Sequence, residues 1–164
     1  MNVETETSCG AETVAQEQTG AAPVALAQCD WTRTLIVDDE ERIVRLFKII
    51  ISSAFPTLTV DQAFNGAEAL EAFKANHHAV LIMDIHMPVM DGQSSFVEIR
   101  KLCQERAWEM PSVVFCTGYA PPGAVKSLVM QDSNHALLLK PIRGEAIVEA
   151  VRKRLGRRQS PPTA

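Results

Sequence analysis

The order of apolar and polar positions along the chain predicts five strands and five helices in strict alternation. Short apolar runs of strand length lie at 34–37, 58–63, 79–83, 112–116 and 136–139. After each of them, apolar side chains recur at the three- and four-residue spacing of an amphipathic helix, in segments 43–54, 67–74, 93–106, 123–130 and 144–155. No segment repeats another.

The apolar runs also predict how the strands are arranged. The run at 79–83 is apolar at every position, which is typical of a strand that is buried on both faces. Strands of this kind form parallel sheets covered by helices, and right-handed crossovers then give an α/β, doubly wound, three-layer (α/β/α) domain. In such sheets a ligand site lies beyond the carboxyl ends of the strands.

Composition and charge agree with one globular domain that carries tails. The chain has 164 residues, of which 46% are hydrophobic and 22% are charged, close to globular averages. Its net charge of −4 argues against a dedicated nucleic-acid binder, which would be basic. The first basic residue is Arg33, so no secretory signal is predicted, and no apolar run is long enough to span a membrane.

The four cysteines predict neither a zinc site nor a disulfide framework, because they lack the C-x-x-C spacing. They are Cys9, Cys29, Cys103 and Cys116, and the first two lie in a polar tail. Cys116 ends an apolar run, as a small buried side chain would. Reduced thiols are typical of the cytoplasm, and we expect that localisation.

Both ends of the chain differ in composition from its middle. Residues 1–30 contain five acidic residues and no Lys or Arg, which predicts a disordered acidic tail. Residues 31–155 would form the domain, and 156–164 a basic, proline-containing C-terminal tail. The basic cluster around Arg152 either stabilises a helix C-terminus or contacts nucleic acid or lipid, and we favour the first. We expect no effector domain, so the chain would act through a partner.

Polar side chains directly follow four of the five predicted strands. Asp38 and Asp39 follow the first strand, Asp84 the third, Thr117 the fourth and Lys140 the fifth. Because the carboxyl ends of parallel strands meet at one edge of the sheet, we expect these side chains to lie close together.

Carboxylates in such proximity require a cation, because like charges disfavour one another's ionisation. Oxygen ligands with water in reach suit Mg²⁺, which takes one or two carboxylates plus phosphate oxygens. A carboxylate can also act as a nucleophile and form an aspartyl phosphate. Phosphoryl transfer needs positioning and charge stabilisation, to which Lys140 would add a positive charge and Thr117 a hydroxyl donor.

At 81–92 the sequence LIMDIHMPVMDG resembles the phosphorylation loop of response-regulator receiver domains. The acidic pair after the first strand, Thr117, and the Lys140-Pro141 pair are similar to further elements of that family. The interval before Thr117 is slightly long, and we place the extra residues at 105–111. The resemblance implies a flavodoxin-like fold with strand order 2-1-3-4-5 and a single-domain, chemotaxis-regulator-like receiver of two-component or phosphorelay signalling.

The resemblance implies Mg²⁺-dependent phosphorylation at Asp84. The phosphoryl donor would be a phosphohistidine on a sensor histidine kinase or a histidine phosphotransfer protein. Asp39, Asp84 and the backbone carbonyl of His86 would bind Mg²⁺ directly, with Asp38 acting largely through water. The protein would be a switch with slow autodephosphorylation and not an enzyme, with no direct contact to nucleic acid or membrane.

The resemblance also implies how phosphorylation is reported. Lys140 would pair with Asp84 and then with the phosphoryl group. Thr117 would move toward the phosphate and signal to the surface of the fourth helix, fifth strand and fifth helix, where a downstream protein would bind. The Lys140–Pro141 peptide bond is expected to be cis, which is inexpensive only before proline.

Three positions depart from the family pattern. Leu137 stands where many receivers carry a Phe or Tyr that rotates on activation, so the signal must use another path or be weak. Tyr119 either covers the phosphate, forms part of a partner surface, or is merely an exposed loop residue. His86 stands beside the expected phosphoryl group, and with Tyr119 it would hinder attacking water and lengthen the lifetime of the phosphate.

Two other readings of the same residues remain. A haloacid-dehalogenase-like phosphatase also uses a strand-end Asp with Mg²⁺, but needs a second Asp where His86 stands. A pseudo-receiver would keep the fold and bind partners without phosphorylation. The acidic pair, taken alone, could also be a helix N-cap, and Asp91-Gly92 is predicted to be a turn that opens the third helix.

Overall fold

The structure of the chain is a computed structural model that describes residues 25–156. Its strands are β1 (Asp30–Val37), β2 (Thr59–Ala63), β3 (His78–Asp84), β4 (Ser112–Thr117) and β5 (Ala136–Leu139). Its helices are α1 (Glu41–Ala54), α2 (Gly66–Asn76), α3 (Gly92–Arg106), α4 (Gly123–Gln131) and α5 (Gly144–Gly156). The predicted alternation is therefore confirmed, with element ends shifted by a few residues.

All five strands are parallel and stand in the order β2-β1-β3-β4-β5. This is the predicted flavodoxin-like arrangement. Buried side chains of α1 and α5 pack with one set of strand residues, and those of α2, α3 and α4 pack with the alternate set. Helices thus cover both faces of the sheet, and β3 is buried along its whole length.

Local sequence explains where two helices begin. Asn65 caps α2 by accepting a hydrogen bond from the backbone N–H of Glu68 at 2.9 Å. Asp91 caps α3 in the same way, with the N–H of Ser94 at 2.7 Å, and both residue types are favoured N-caps. The Asp91 cap fixes the start of α3 next to the end of β3. Among residues 25–156, no helix combines the length and apolar character that crossing a membrane requires.

The predicted tail boundary at residue 30 is wrong, because residues 25–30 belong in part to the folded unit. The N–H of Ala27 donates to the carbonyl of Ala107 at 2.9 Å, and the N–H of Glu109 donates to the carbonyl of Ala27 at 2.8 Å. Cys29 is buried, and its N–H donates to the Glu109 carboxylate at 2.9 Å. The predicted tails at 1–24 and 157–164 lie outside the described residues.

Two histidines at strand ends are buried, although a histidine at the edge of an element is often solvated. His78 lies at 0% exposure, with its Nε2 2.9 Å from Asp61 Oδ2. His135 lies at 6% exposure, and its Nδ1 accepts the Val113 N–H at 3.1 Å. Burial lowers the pKa of both rings, against the opposing effect of a nearby carboxylate on each.

These pKa shifts predict that the protein loses stability in mild acid. A histidine whose pKa is lower in the folded state stabilises the fold above its unfolded pKa near 6.5. That contribution is lost as the pH falls below this value, by at most about 1.4 kcal/mol per pH unit for each ring. Urea unfolding between about pH 7 and pH 5 should show this slope, and His78→Asn should make it shallower. Parallel slopes in both proteins would contradict the assignment.

Candidate functional site

The polar residues predicted at the strand ends meet at one edge of the sheet. Asp38 directly follows β1, Asp84 ends β3, Thr117 ends β4, and Lys140 directly follows β5. β1 and β3 are neighbours, as are β3 and β4, so the strand order places Asp84 in the middle of the group. This edge is the carboxyl end of the sheet, where doubly wound folds bind their ligands.

The Lys140 side chain connects two of the acidic residues. Its Nζ lies 2.8 Å from Asp38 Oδ2 and 3.0 Å from Asp84 Oδ1. Both carboxylates are almost fully buried, at 2% and 5% exposure. The pairing of Lys140 with Asp84 agrees with the expectation from sequence, whereas its equally short contact with Asp38 was not anticipated.

Burial and mutual charge shift the pKa values of this group. Burial, with the charge of Asp38, raises the pKa of Asp84 above its ordinary value, although Lys140 acts in the opposite direction. Burial alone would lower the pKa of Lys140, but its hydrogen bonds and charge interactions with Asp38 and Asp84 outweigh burial and raise it. Lys140 is therefore a positively charged ammonium at neutral pH. The surroundings of Asp84 disfavour its negative charge, so a bound cation or proton there is favourable.

Backbone contacts hold Asp84 in place. Its Oδ2 accepts the N–H of His86 at 3.0 Å. The N–H of Ile85 donates to the carbonyl of Cys116 at 3.0 Å, and the N–H of Gly92 donates to the carbonyl of Ile85 at 2.9 Å. The loop after β3 is thus fastened both to β4 and to the start of α3, which fixes the direction of the Asp84 side chain.

Thr117 is fully buried, and its hydroxyl is occupied by Tyr119. The hydroxyl donates to the Tyr119 carbonyl at 3.1 Å and accepts the Tyr119 N–H at 3.2 Å. It also lies 3.4 Å from His86 Nδ1. Tyr119 is 74% exposed, and its ring meets the His86 ring edge-on, with centroids 5.5 Å apart. Thr117, His86 and Tyr119 thus form one contact group beside Asp84.

The remaining predicted residues lie at or near the same edge. Asp39 is exposed, directly after the buried Asp38. Leu137 is half-buried in β5 and is paired in register with Phe115 of β4. The Lys140–Pro141 peptide bond is cis, the isomer that the resemblance implies. Ile142, after the proline, packs against the buried cluster of α1 and α5.

The donor set at this edge suits a hard divalent cation. Asp38 and Asp84 offer carboxylate oxygens, Asp39 adds an exposed carboxylate, and the backbone supplies carbonyls. Within residues 25–156, no group of three His, Cys, Asp or Glu side chains is placed to hold a metal by itself. Mg²⁺ does not need such a group, because it keeps several water ligands and uses one or two carboxylates. The residues therefore fit Mg²⁺ coordinated partly by water.

Comparison with known proteins settles the family. A sequence model described as "Response regulator receiver domain" matches residues 34–152. The chain belongs to the response regulator receiver family. The matched range contains the whole carboxyl-edge group, from Asp38 to Lys140, and the fold is the one expected for this family of two-component signalling.

Individual relatives agree with this assignment. The chemotaxis protein CheY of Bacillus subtilis is 28% identical over 124 residues, which cover 75% of this chain and 97% of the relative. A protein-glutamate methylesterase/protein-glutamine glutaminase of Aliivibrio fischeri is 44% identical over 71 residues, but these are only 19% of that protein. The CheY-like receiver structure from Methanospirillum hungatei has a TM-score of 0.64 at 23% identity, covering 77% of this chain and 95% of that one, and shows the shared fold.

Proposed function

We propose that this receiver accepts a phosphoryl group on Asp84 in a Mg²⁺-dependent reaction and signals through protein–protein contact. The observation that carries the proposal is the placement of Lys140 against both buried carboxylates, next to the buried Thr117 hydroxyl. A nucleophile, a fixed cation and a hydroxyl donor then surround one point at the end of β3. Phosphoryl transfer needs such positioning and charge stabilisation.

The proposed reaction moves one phosphoryl group between two proteins. An Asp84 carboxylate oxygen attacks the phosphorus of a phosphohistidine on a sensor histidine kinase or a histidine phosphotransfer protein. The bond from phosphorus to the histidine nitrogen breaks as the bond to Asp84 forms, and the imidazole leaves with the electron pair. Lys140 stabilises the charge on the phosphoryl oxygens. Mg²⁺, held by Asp39, Asp84 and the His86 carbonyl with Asp38 acting through water, would supply the remaining positive charge.

Thr117 is proposed to report phosphorylation. To bind a phosphoryl oxygen, its hydroxyl must give up at least one of its contacts with the Tyr119 backbone. The loop at 118–122 joins Thr117 to α4, so a change at Thr117 reaches the face of α4, β5 and α5. That face exposes Met130 at 87% and Leu139 at 63%, and we propose it as the surface for a downstream protein. Position 137 holds a leucine, so rotation of an aromatic side chain at that position cannot carry the signal.

The contact between His86 and Tyr119 supports a long-lived phosphate. The two rings meet at 5.5 Å beside Asp84, where they would restrict the approach of water to the phosphorus. We expect the double variant His86→Asn, Tyr119→Glu to lose its phosphoryl group about tenfold faster, a barrier change of about 1.4 kcal/mol. The decay of the phosphorylated protein after donor removal measures the rate, and an unchanged half-life would contradict the proposal.

The decisive experiment for the function is intact mass after incubation with acetyl phosphate, with Mg²⁺ or with EDTA. We expect one phosphoryl adduct with Mg²⁺ and none with EDTA. A phosphohistidine donor serves as a second test in the same format. If neither donor gives an adduct, the chain is a pseudo-receiver, whose unmodified surface would be the functional one. We further propose a cytoplasmic location, with the receiver unit beginning near residue 27 and no direct binding of nucleic acid or membrane.

A further inference from the structure

A cavity of about 380 Å³ lies between α3 and α4 and is not used by the proposed phosphorylation chemistry. Phe96 and Arg100 line it from α3, and Leu128 from α4. Phe115 of β4 and His135 also line it, and both are buried. The volume exceeds that of any single side chain and falls within the range of about 300–1,000 Å³ that is typical of small-molecule sites.

The inner lining is aromatic. The Phe96 ring makes edge contacts with the Phe115 ring at 5.6 Å and with the His135 ring at 5.2 Å. His135 is held in place, because its Nδ1 accepts the N–H of Val113 at 3.1 Å. Phe96 thus contacts both of the other rings, and such a group presents faces and edges that favour a planar aromatic ligand. The aromatic part of the wall is therefore preorganised.

The rim of the cavity carries one cation, the Arg100 side chain. The Arg100 guanidinium lies 5.8 Å from the centre of the Phe96 ring, and within residues 25–156 no ion pair to Arg100 is observed. Asp132 also lines the cavity. Its carboxylate accepts the Asn134 N–H at 2.8 Å and lies 3.4 Å from His135 Nε2, a contact with a neutral ring and not an ion pair because burial lowers the pKa of His135. Arg100 is the one Lys or Arg among the residues that line this cavity, and guanidinium groups recognise carboxylates in a bidentate manner.

We propose that the cavity between α3 and α4 binds an aromatic carboxylate, with the ring against Phe96 and Leu128 and the carboxylate on Arg100. Such a ligand would contact both helices. Val125 is the buried residue of α4, and no side chain caps the start of that helix, so α4 gains most from the added contacts. Since α4 follows Thr117 through a short loop, occupancy would bias the same helix that phosphorylation is proposed to move.

The test uses 2-naphthoic acid as the probe and its uncharged amide as the comparison, titrated into ¹⁵N-labelled protein. We expect saturable amide shifts confined to α3, α4 and the residues around His135, with a dissociation constant of about 1 mM. The amide should bind about tenfold more weakly. Because the readout is binding to the unphosphorylated protein, its result is independent of whether Asp84 is phosphorylated.

Three variants separate the site from general charge attraction. Arg100→Gln should remove the difference between acid and amide, whereas Lys101→Gln, an exposed cation on the same helix outside the cavity, should leave it unchanged. Ser127→Trp should fill the cavity mouth and abolish binding. The proposal is overturned if the acid shows no saturable shifts, if Arg100→Gln binds it as wild type does, or if only an acidic peptide with an aromatic residue binds, which would make the cavity a protein-docking site.

Discussion

Replacing Asp84 by asparagine is expected to abolish the phosphoryl adduct that forms with acetyl phosphate and Mg²⁺. Asparagine keeps the size of the side chain but removes the nucleophilic carboxylate oxygen, and no other carboxylate occupies the same place between Lys140 and Thr117. Intact mass after incubation measures the adduct, and peptide mapping locates it. A persistent adduct on another residue would contradict the assignment of Asp84.

The matched control for this experiment is Asp91→Asn in the same loop. Asp91 is exposed and caps α3 through the N–H of Ser94, a role that asparagine performs equally well. The Asp91→Asn protein should therefore be phosphorylated as wild type is. A folding defect would not explain the loss in Asp84→Asn, because burial raises the pKa of Asp84 and removal of its charge should not destabilise the metal-free protein. Urea unfolding in EDTA checks this point.

Replacing Gly92 by alanine is expected to lower the free energy of unfolding by about 3 kcal/mol. A Cβ atom at Gly92 would overlap the carbonyl oxygen of Asp84 and would lie 3.1 Å from the Cα of Ile85. These are backbone atoms of the loop that carries the nucleophile, and the hydrogen bond from Gly92 to Ile85 fixes them. They cannot move aside as the end of a flexible side chain could.

Gly123 provides the control for the glycine substitution. A Cβ atom there would meet no heavy atom within 4 Å, and alanine favours the helical backbone of α4 by up to about 1 kcal/mol. Gly123→Ala should thus be as stable as wild type or more so. Denaturant unfolding of both variants, with the slope m compared, gives the two free energies. Equal stability of Gly92→Ala and wild type would show that the loop does not pack so closely against the end of β3.

Much of the fold and of the site was predictable from sequence because both depend on local patterns. Continuous apolar runs mark buried strands, and the residues that follow them must lie at one edge of a parallel sheet. Asp38, Asp84, Thr117 and Lys140 are brought together for that reason. The shared contact of Lys140 with Asp38 could not be predicted, since it depends on the directions of two side chains 102 positions apart.

The features that the sequence did not reveal depend on distant partners. The start of β1 is polar, so its pairing with β3 leaves no apolar signal. Cys29 is buried, and its N–H donates to Glu109, 80 residues later. His78 is buried beside Asp61 of β2.

Val89 adopts a left-handed backbone with φ 70°, which is unusual for a β-branched residue. It lies between Pro88 and Met90, in the loop ahead of the Asp91 cap of α3, and the sequence alone does not indicate that conformation.

The early start of the folded unit, near Ala27, also determines where attachments can be made. Ala27 lies three residues ahead of the amino end of β1, and Asp84 lies at the carboxyl edge of the sheet. Eight strand residues separate these two poles by about 25 Å. A fluorescent label attached at Ala27 would therefore stand at the far pole and leave the acidic edge open to a phosphodonor, whereas trimming the chain to residue 34 would remove the backbone hydrogen bonds that Ala27 makes with Ala107 and Glu109.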